Sequence, residues 1–239
     1  MATDLRDLLG VGLYSIPEAA RLIGVRSDKL RRWAEGYTFP GRRTEGHSEP
    51  VIVAQLKSPG DLSVLTFNDL IELHFVSMFR AQGVSMPVIR AAADNARKLF
   101  QTTHPFAVER FDTDGKRIFA TLTEAARRPS GIPQGRWMSE LDKGQIVFER
   151  MVRPFLKKLD WDRREARRYW PLGKDRRVVL DPSRAFGHPI DAETGVPTFA
   201  LYQAFQGQQD EEAVADWYRI DVAAVRDAIE YEQSLLVAA

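Results

Sequence analysis

Within one run of seven residues, Arg26, Ser27, Asp28, Lys29 and Arg32 carry the hydrogen-bonding groups that can read the edges of base pairs. Guanidinium and ammonium groups donate to the acceptors of guanine, and a serine hydroxyl can serve either base of a pair. Other chemistries find no such grouping. The four histidines, His47, His74, His104 and His188, are far apart and have no His-x-x-His or His-Glu-x-x-His spacing. There is no Gly-x-Ser-x-Gly elbow and no glycine-rich phosphate loop. Cysteine is absent, which removes thiolate nucleophiles, thiolate metal sites and disulfides. The adjoining Glu211 and Glu212 stand at a helix start, where they favour the helix dipole. No catalytic residue, metal or cofactor is expected.

The elements that must hold those five residues run from Gly12 to Tyr37. Ser15 is a candidate N-cap, with Pro17 just inside the helix and Glu18 completing a capping signature. Ile16, Ala19, Ala20 and Ile23 form an apolar stripe, and Gly24 ends the helix. Ser27 is expected to cap a second helix whose Leu30, Trp33, Ala34 and Tyr37 face inward. Lys29, Arg31, Arg32 and Glu35 then face out. This is a helix-turn-helix, whose second helix presents its N-terminal half to the major groove. The plainer alternative is a helical hairpin with a solvated basic face.

Gly24-Val25-Arg26-Ser27-Asp28-Lys29-Leu30-Arg31-Arg32-Trp33-Ala34-Glu35-Gly36 resembles the DNA-binding helix of MerR-type regulators. The resemblance implies that Arg31 grips the phosphate backbone and that Trp33 is a core residue. It places a wing at Arg42 and Arg43, wing strands at Val51–Leu56 and Val64–Leu65, and a following helix at Thr66–Leu73. The wing is long here, and Gly41 to Pro50 is polar.

A chain of 239 residues, 44% hydrophobic and 28% charged, has room for two or three domains and a sizeable core. No apolar run approaches the roughly 20 residues of a membrane span, and Asp4 and Asp7 do not suit a signal peptide. A cytoplasmic protein is expected. Residues 1–100 are read as a DNA-binding and dimerisation domain. Thr66 to Gln82 is a helix apolar on more than one side. A second runs from Ser85 to Phe100, with Val88, Ala92, Ala93, Ala96 and Leu99 on one face. Its alanines suit close packing against a partner subunit or against the rest of the chain. A homodimer is expected, since paired half-sites are read by paired helix-turn-helix units.

Residues 101–177 form a mixed middle region. Phe106–Phe111 and Arg117–Leu122 flank a glycine-containing turn and suggest a β-hairpin. Pro129–Gly135 reads as loop, Gly144–Leu159 as a helix or a strand running into a helix, bent or broken at Pro154, and Arg167–Trp170 and Arg177–Leu180 as strands. From Arg150 to Arg177 eleven cations face four anions, a balance of +7, with Trp161, Tyr169 and Trp170 interleaved. That run either tracks a nucleic-acid backbone or pairs with acids elsewhere in the chain.

Residues 178–239 supply such acids, at a balance of −8. Phosphate would repel this segment, yet it too outlines a helix-turn-helix. Gln209 or Asp210 caps a helix to Tyr218, Arg219-Ile220 turns, and Asp221 caps a last helix to about Leu236. Ala215, Ile220, Val225 and Ile229 form its core. This end reads as a protein-binding surface. Val179-Leu180-Asp181-Pro182 through Gly187-His188-Pro189, then Gly195-Val196-Pro197-Thr198, resembles a small helical antitoxin domain, the family of unknown function numbered 433. Its pairing with a MerR-like front resembles the long VapB-type antitoxins. The resemblance implies an antitoxin that neutralises a VapC-type toxin, a PIN-domain ribonuclease, and represses its operator DNA. The alternative is a MerR-like ligand-responsive transcription regulator. The fold class expected is mainly α with small β elements (α+β): a winged helix-turn-helix, a mixed middle and a three-helix C-terminal domain.

Overall fold

Caps written into the sequence set several helix boundaries. The computed structural model describes residues 10–40, 46–53, 64–109 and 134–238, with the single positions 56, 111 and 118. A short strand β1 (Tyr14–Ser15) leads into α1 (Ile16–Ile23). Ser15 Oγ accepts from the Glu18 N–H, and Gly24 closes α1 in the left-handed region at φ 74°. α2 (Ser27–Glu35) differs from expectation at both ends. Arg26, not Ser27, occupies the cap position, because the Leu30 N–H already bonds the Arg26 carbonyl. Gly36 breaks the helix, so Tyr37 leaves the inner face and is 40% exposed.

Tyr37 opens β2 (Tyr37–Phe39), which pairs antiparallel with β3 (Gly46–Ser48) to form the wing. Gly36 is required there: a Cβ would lie 2.6 Å from the Ser48 carbonyl oxygen. The wing strand expected at Val51–Leu56 does not form among its described residues. Val51 and Ile52 are instead buried in a bend, with the Val51 N–H bonded to the Trp33 carbonyl. β4 (Val64–Leu65) is a strand as expected but pairs with β1. Arg42 and Arg43 lie outside the described residues.

Thr66 and Asp69 cap α3 (Phe67–Ala81) reciprocally. This helix is buried on all sides, as its apolar content demands. Phe75 is fully buried, and its ring meets those of Phe106, Phe111 and Phe155 at 5.1–6.1 Å. In α4 (Met86–Phe100), Val88, Ala92, Ala93 and Ala96 have no exposed surface within the single chain. The alanine face is therefore filled by its own chain, and close packing there does not call for a second copy. Leu99 does not take the inward place its spacing suggests: it is 47% exposed, and Phe100 packs on the core instead.

The expected hairpin at Phe106–Leu122 is not seen where it can be checked. Phe106 lies in a turn, and Phe111 and Ile118 are helical and fully buried. The Phe75 cluster draws in both phenylalanines, and residues 107–109 bond to the segment around Arg164–Ala166. Residues 112–117 lie outside the described set. α5 (Gln134–Val147) begins inside the expected Pro129–Gly135 loop, then runs through a π turn (Phe148–Val152) into α6 (Arg153–Leu156). Pro154, which has no N–H to donate, sits at the start of α6, directly after that wider turn.

A four-stranded antiparallel sheet follows in sequential order: β5 (Leu159–Asp162), β6 (Glu165–Tyr169), β7 (Val178–Leu180) and β8 (Pro189–Asp191). Three helices close the chain: α7 (Thr198–Gln208), α8 (Glu211–Tyr218) and α9 (Val222–Ala238). Leu201, Val214, Ala215, Val225, Ala228 and Ile229 form their own small core, against which Ile220 packs. Tyr231 and Leu235, further along α9, enter the main core instead. The whole is an α+β fold. No helix among the described residues is long and apolar enough to cross a membrane.

Candidate nucleic-acid interface

Leu30, Trp33 and Ala34 anchor α2 inward, which leaves Arg26, Ser27, Asp28, Lys29, Arg31 and Arg32 exposed on the opposite side. α1 supports them through the turn at Gly24, where the Val25 N–H reaches the Ala20 carbonyl at 2.9 Å. The wing is tied to the same frame. Arg90 donates to Ser48 Oγ at 2.8 Å, and Arg97 donates to the Val51 carbonyl at 2.6 Å.

The cations are held loosely, in arrangements a phosphate or a base can displace. Arg26 pairs with Asp28 at 3.0 Å and Arg31 with Glu35 at 3.1 Å, both at the surface, where such pairs are worth under about 1 kcal/mol. Lys29 lies 5.1 Å from the centre of the Trp33 ring, and Arg32 lies 5.6 Å from that of Tyr37. Tyr37 and Phe39 are exposed together on the wing, their rings 5.9 Å apart. Sequence reasoning misses this pair by placing Tyr37 in the core. The Gly36 that follows Glu35 is the available sign that the helix has already ended.

Several of the middle cations have found acids in the chain. Arg168 pairs with Asp181, Lys174 with Asp160, Arg176 with Asp227 and Glu230, and Arg177 with Asp191 and Glu193. Burial alone would raise the Asp191 carboxyl, but hydrogen bonds from Arg177 and Thr194 hold it below the usual carboxylate range. Arg163, Arg164 and Arg167 have no ion pair among the described residues.

The second helix-turn-helix follows the first position for position. Asp210 caps α8 where Ser15 caps α1, and Arg219 takes the left-handed place of Gly24 at φ 55°. The Ile220 N–H reaches the Ala215 carbonyl at 3.0 Å, as Val25 reaches Ala20. The two differ in what the second helix presents. Asp227 stands where α2 has Arg32, is nearly buried, and is bonded by Arg176 and by the Arg177 N–H. Ala224 stands where α2 has Lys29 and is also buried. Part of the face that reads bases in a helix-turn-helix is here turned onto the same chain: the counterparts of Lys29 and Arg32 are covered, while Asp221, Ala223 and Arg226, the counterparts of Arg26, Asp28 and Arg31, stay exposed.

This acidic end is fastened to the back of α1. Tyr14 Oη donates to the Gly187 carbonyl at 2.7 Å, and the Leu13 N–H donates to the Phe186 carbonyl at 2.9 Å. Arg21 pairs with the buried Glu232 at 3.1 Å, and Glu18 meets His188 at 2.6 Å. Gly187 admits no side chain, since a Cβ would lie 2.3 Å from the Tyr14 oxygen.

Comparison with known proteins finds a family for the front of the chain and relatives for nearly all of it. Residues 12–93 match the family described as "Putative DNA-binding HTH domain". The front of the chain is a DNA-binding helix-turn-helix domain. Over 235 residues the chain is 29% identical to "Putative antitoxin VapB45" of Mycobacterium tuberculosis, covering 95% of this chain and 96% of that protein. It is 22% identical over 255 residues to "Uncharacterized protein Rv2308" of the same organism, covering 98% and 96%. The crystal structure of Rv2018 from Mycobacterium tuberculosis superposes with a TM-score of 0.70 at 25% identity, covering 92% of this chain and 99% of that one.

Proposed function

We propose that this protein is the antitoxin of a type II toxin–antitoxin system. It neutralises a VapC-type toxin, a PIN-domain ribonuclease, and binds operator DNA as a homodimer to repress their shared expression. Its near full-length similarity to a protein named as an antitoxin of the VapB kind carries this reading. The division of charge supports it: exposed cations on α2 face nucleic acid, while the chain after Pro197 holds eight acids against two arginines and suits another polypeptide. Co-expression with the nuclease gene beside its own should restore growth, and the two purified proteins should co-elute. Failure of the pair to associate overturns the reading. A DNA affinity that responds to a small molecule without any toxin would favour a ligand-responsive regulator instead.

The contacts proposed for DNA are Arg26, Ser27, Lys29, Arg31 and Arg32, with Arg42 and Arg43 from the wing. Arg31→Ala should weaken binding to every sequence alike and flatten the dependence of log K on log salt by about 0.9, one phosphate contact. Arg32→Ala or Lys29→Ala should instead cost about 1–3 kcal/mol at particular base pairs. Titrations against the operator and its single-base variants at several salt concentrations separate the two kinds. Equal losses on all sequences for Lys29 and Arg32 would remove them from base reading.

A further inference from the structure

The β5–β6 hairpin turns through two residues, Arg163 and Arg164, between the paired Asp162 and Glu165. Both are left-handed, at φ 47° and 73°. A two-residue turn with both φ positive is the place of Asn-Gly, because a Cβ is strained there, glycine has none and asparagine's short amide bonds locally to offset it. Two arginines are a poor choice for the turn itself. The turn is nonetheless fixed, since the Glu109 N–H bonds the Arg164 carbonyl at 2.9 Å and Val108 bridges to Glu165. Strain kept on a rigid, exposed tip points to a use for the side chains.

The position of the tip suggests which use. Arg163 and Arg167 line a cleft with Gly10, Val11, Phe67 and Asn68. Arg31 lines the neighbouring cleft with Leu13 to Pro17 and Val64. The two clefts are separated by β4 and the Thr66 cap, about 10 Å of extended chain. Cations thus stand beside both clefts that border the β1–β4 ribbon, Arg31 at one and Arg163 and Arg167 at the other. Asp162 and Glu165, at the feet of the turn, are exposed too and line the first cleft, where Arg163, Arg164 and Arg167 outnumber them three to two around the tip.

We propose that Arg163 and Arg164 form a second phosphate contact on duplex DNA, flanking the base pairs that α2 reads. This rests on the DNA-binding reading above and adds a backbone-only footprint outside the helix-turn-helix. Such a contact carries no sequence preference, so its signature lies in salt dependence.

The test uses the full chain and a random-sequence duplex of about 30 base pairs, titrated between about 50 and 200 mM salt. In the double variant Arg163→Asn with Arg164→Gly, the turn gains its preferred residues and Tm should rise by about 2–4 °C. Its salt slope should nevertheless shrink by about 0.9 for each phosphate no longer neutralised, up to about 1.8. Arg163→Lys with Arg164→Lys should keep the wild-type slope. A double variant that binds with the wild-type slope overturns the proposal and leaves DNA binding by α2 intact. A wild-type chain that ignores duplex at low salt overturns both.

Discussion

Replacing Phe75 with alanine should lower the free energy of unfolding by about 3–5 kcal/mol. Its ring is fully buried at the meeting point of Phe106, Phe111 and Phe155, which come from two segments far apart in sequence. Deletion leaves a cavity bounded by stiff aromatic faces, which cannot collapse to fill it, so the cavity cost adds to the lost burial. Leu99, nearly half exposed at the end of α4, provides the contrast: Leu99→Ala should change stability by no more than about 0.5 kcal/mol. Urea midpoints of the two variants, read at equal slope, check this. A Phe75 loss below about 1 kcal/mol would mean that the cluster is not the centre of the fold.

The second large effect concerns the buried polar group at the start of α3. Asp69 accepts from the Thr66 N–H and hydroxyl and meets His104 Nε2 at 3.0 Å, with both side chains out of water. Burial alone would lower the His104 pKa. The Asp69 hydrogen bond, followed by the charges of Glu72 and Asp69, outweighs it and the imidazole is raised. Nearby, burial raises Glu72 from 4.5 to about 7, even though the His104 charge and the Phe106 N–H pull it down. Because the folded His104 pKa exceeds its unfolded value, the pair's contribution is complete below about pH 6.5 and is lost as pH rises through the raised value. Asp69→Ala should therefore cost about 3–5 kcal/mol near pH 6, when it strands a buried imidazolium. The cost should shrink toward pH 9. Denaturant unfolding of variant and wild type at both pH values measures it, and a difference that stays constant across that range would rule out the charged pair. Glu72 acts in the same direction. Between pH 4.5 and about 7 the folded chain holds its proton more tightly than the unfolded chain, so its ionisation weakens the fold as pH rises.

Local signals in the sequence are legible wherever a side chain caps a helix or a period repeats. Ser15, Gly24, Thr66 and Asp210 end or begin helices where their chemistry requires. The reading of Arg219 as the turn of a second helix-turn-helix also matches, because a left-handed arginine costs less than loss of the packing around Ala215 and Val225. What stays hidden depends on contacts between distant segments. Phe106 and Phe111 look like strand residues until Phe75 draws them in. β8 is three residues long, too short to show a period, and exists because β7 offers it an edge. The exposed Tyr37 and the strained Arg163–Arg164 turn are hidden for the opposite reason, since both depart from the pattern that sequence reasoning assumes.

The fastening of the acidic end to the back of α1 has a practical result for anyone dissecting the protein. Cutting the chain after residue 100 would strand the Tyr14 hydroxyl and the Arg21 guanidinium, whose acceptors are the Gly187 carbonyl and Glu232. It would also strip Phe106, Phe111 and Phe155 from around α3. The fragment that holds α2 would be half a tongue-and-groove joint, and a negative binding result with it would report on carpentry rather than on DNA.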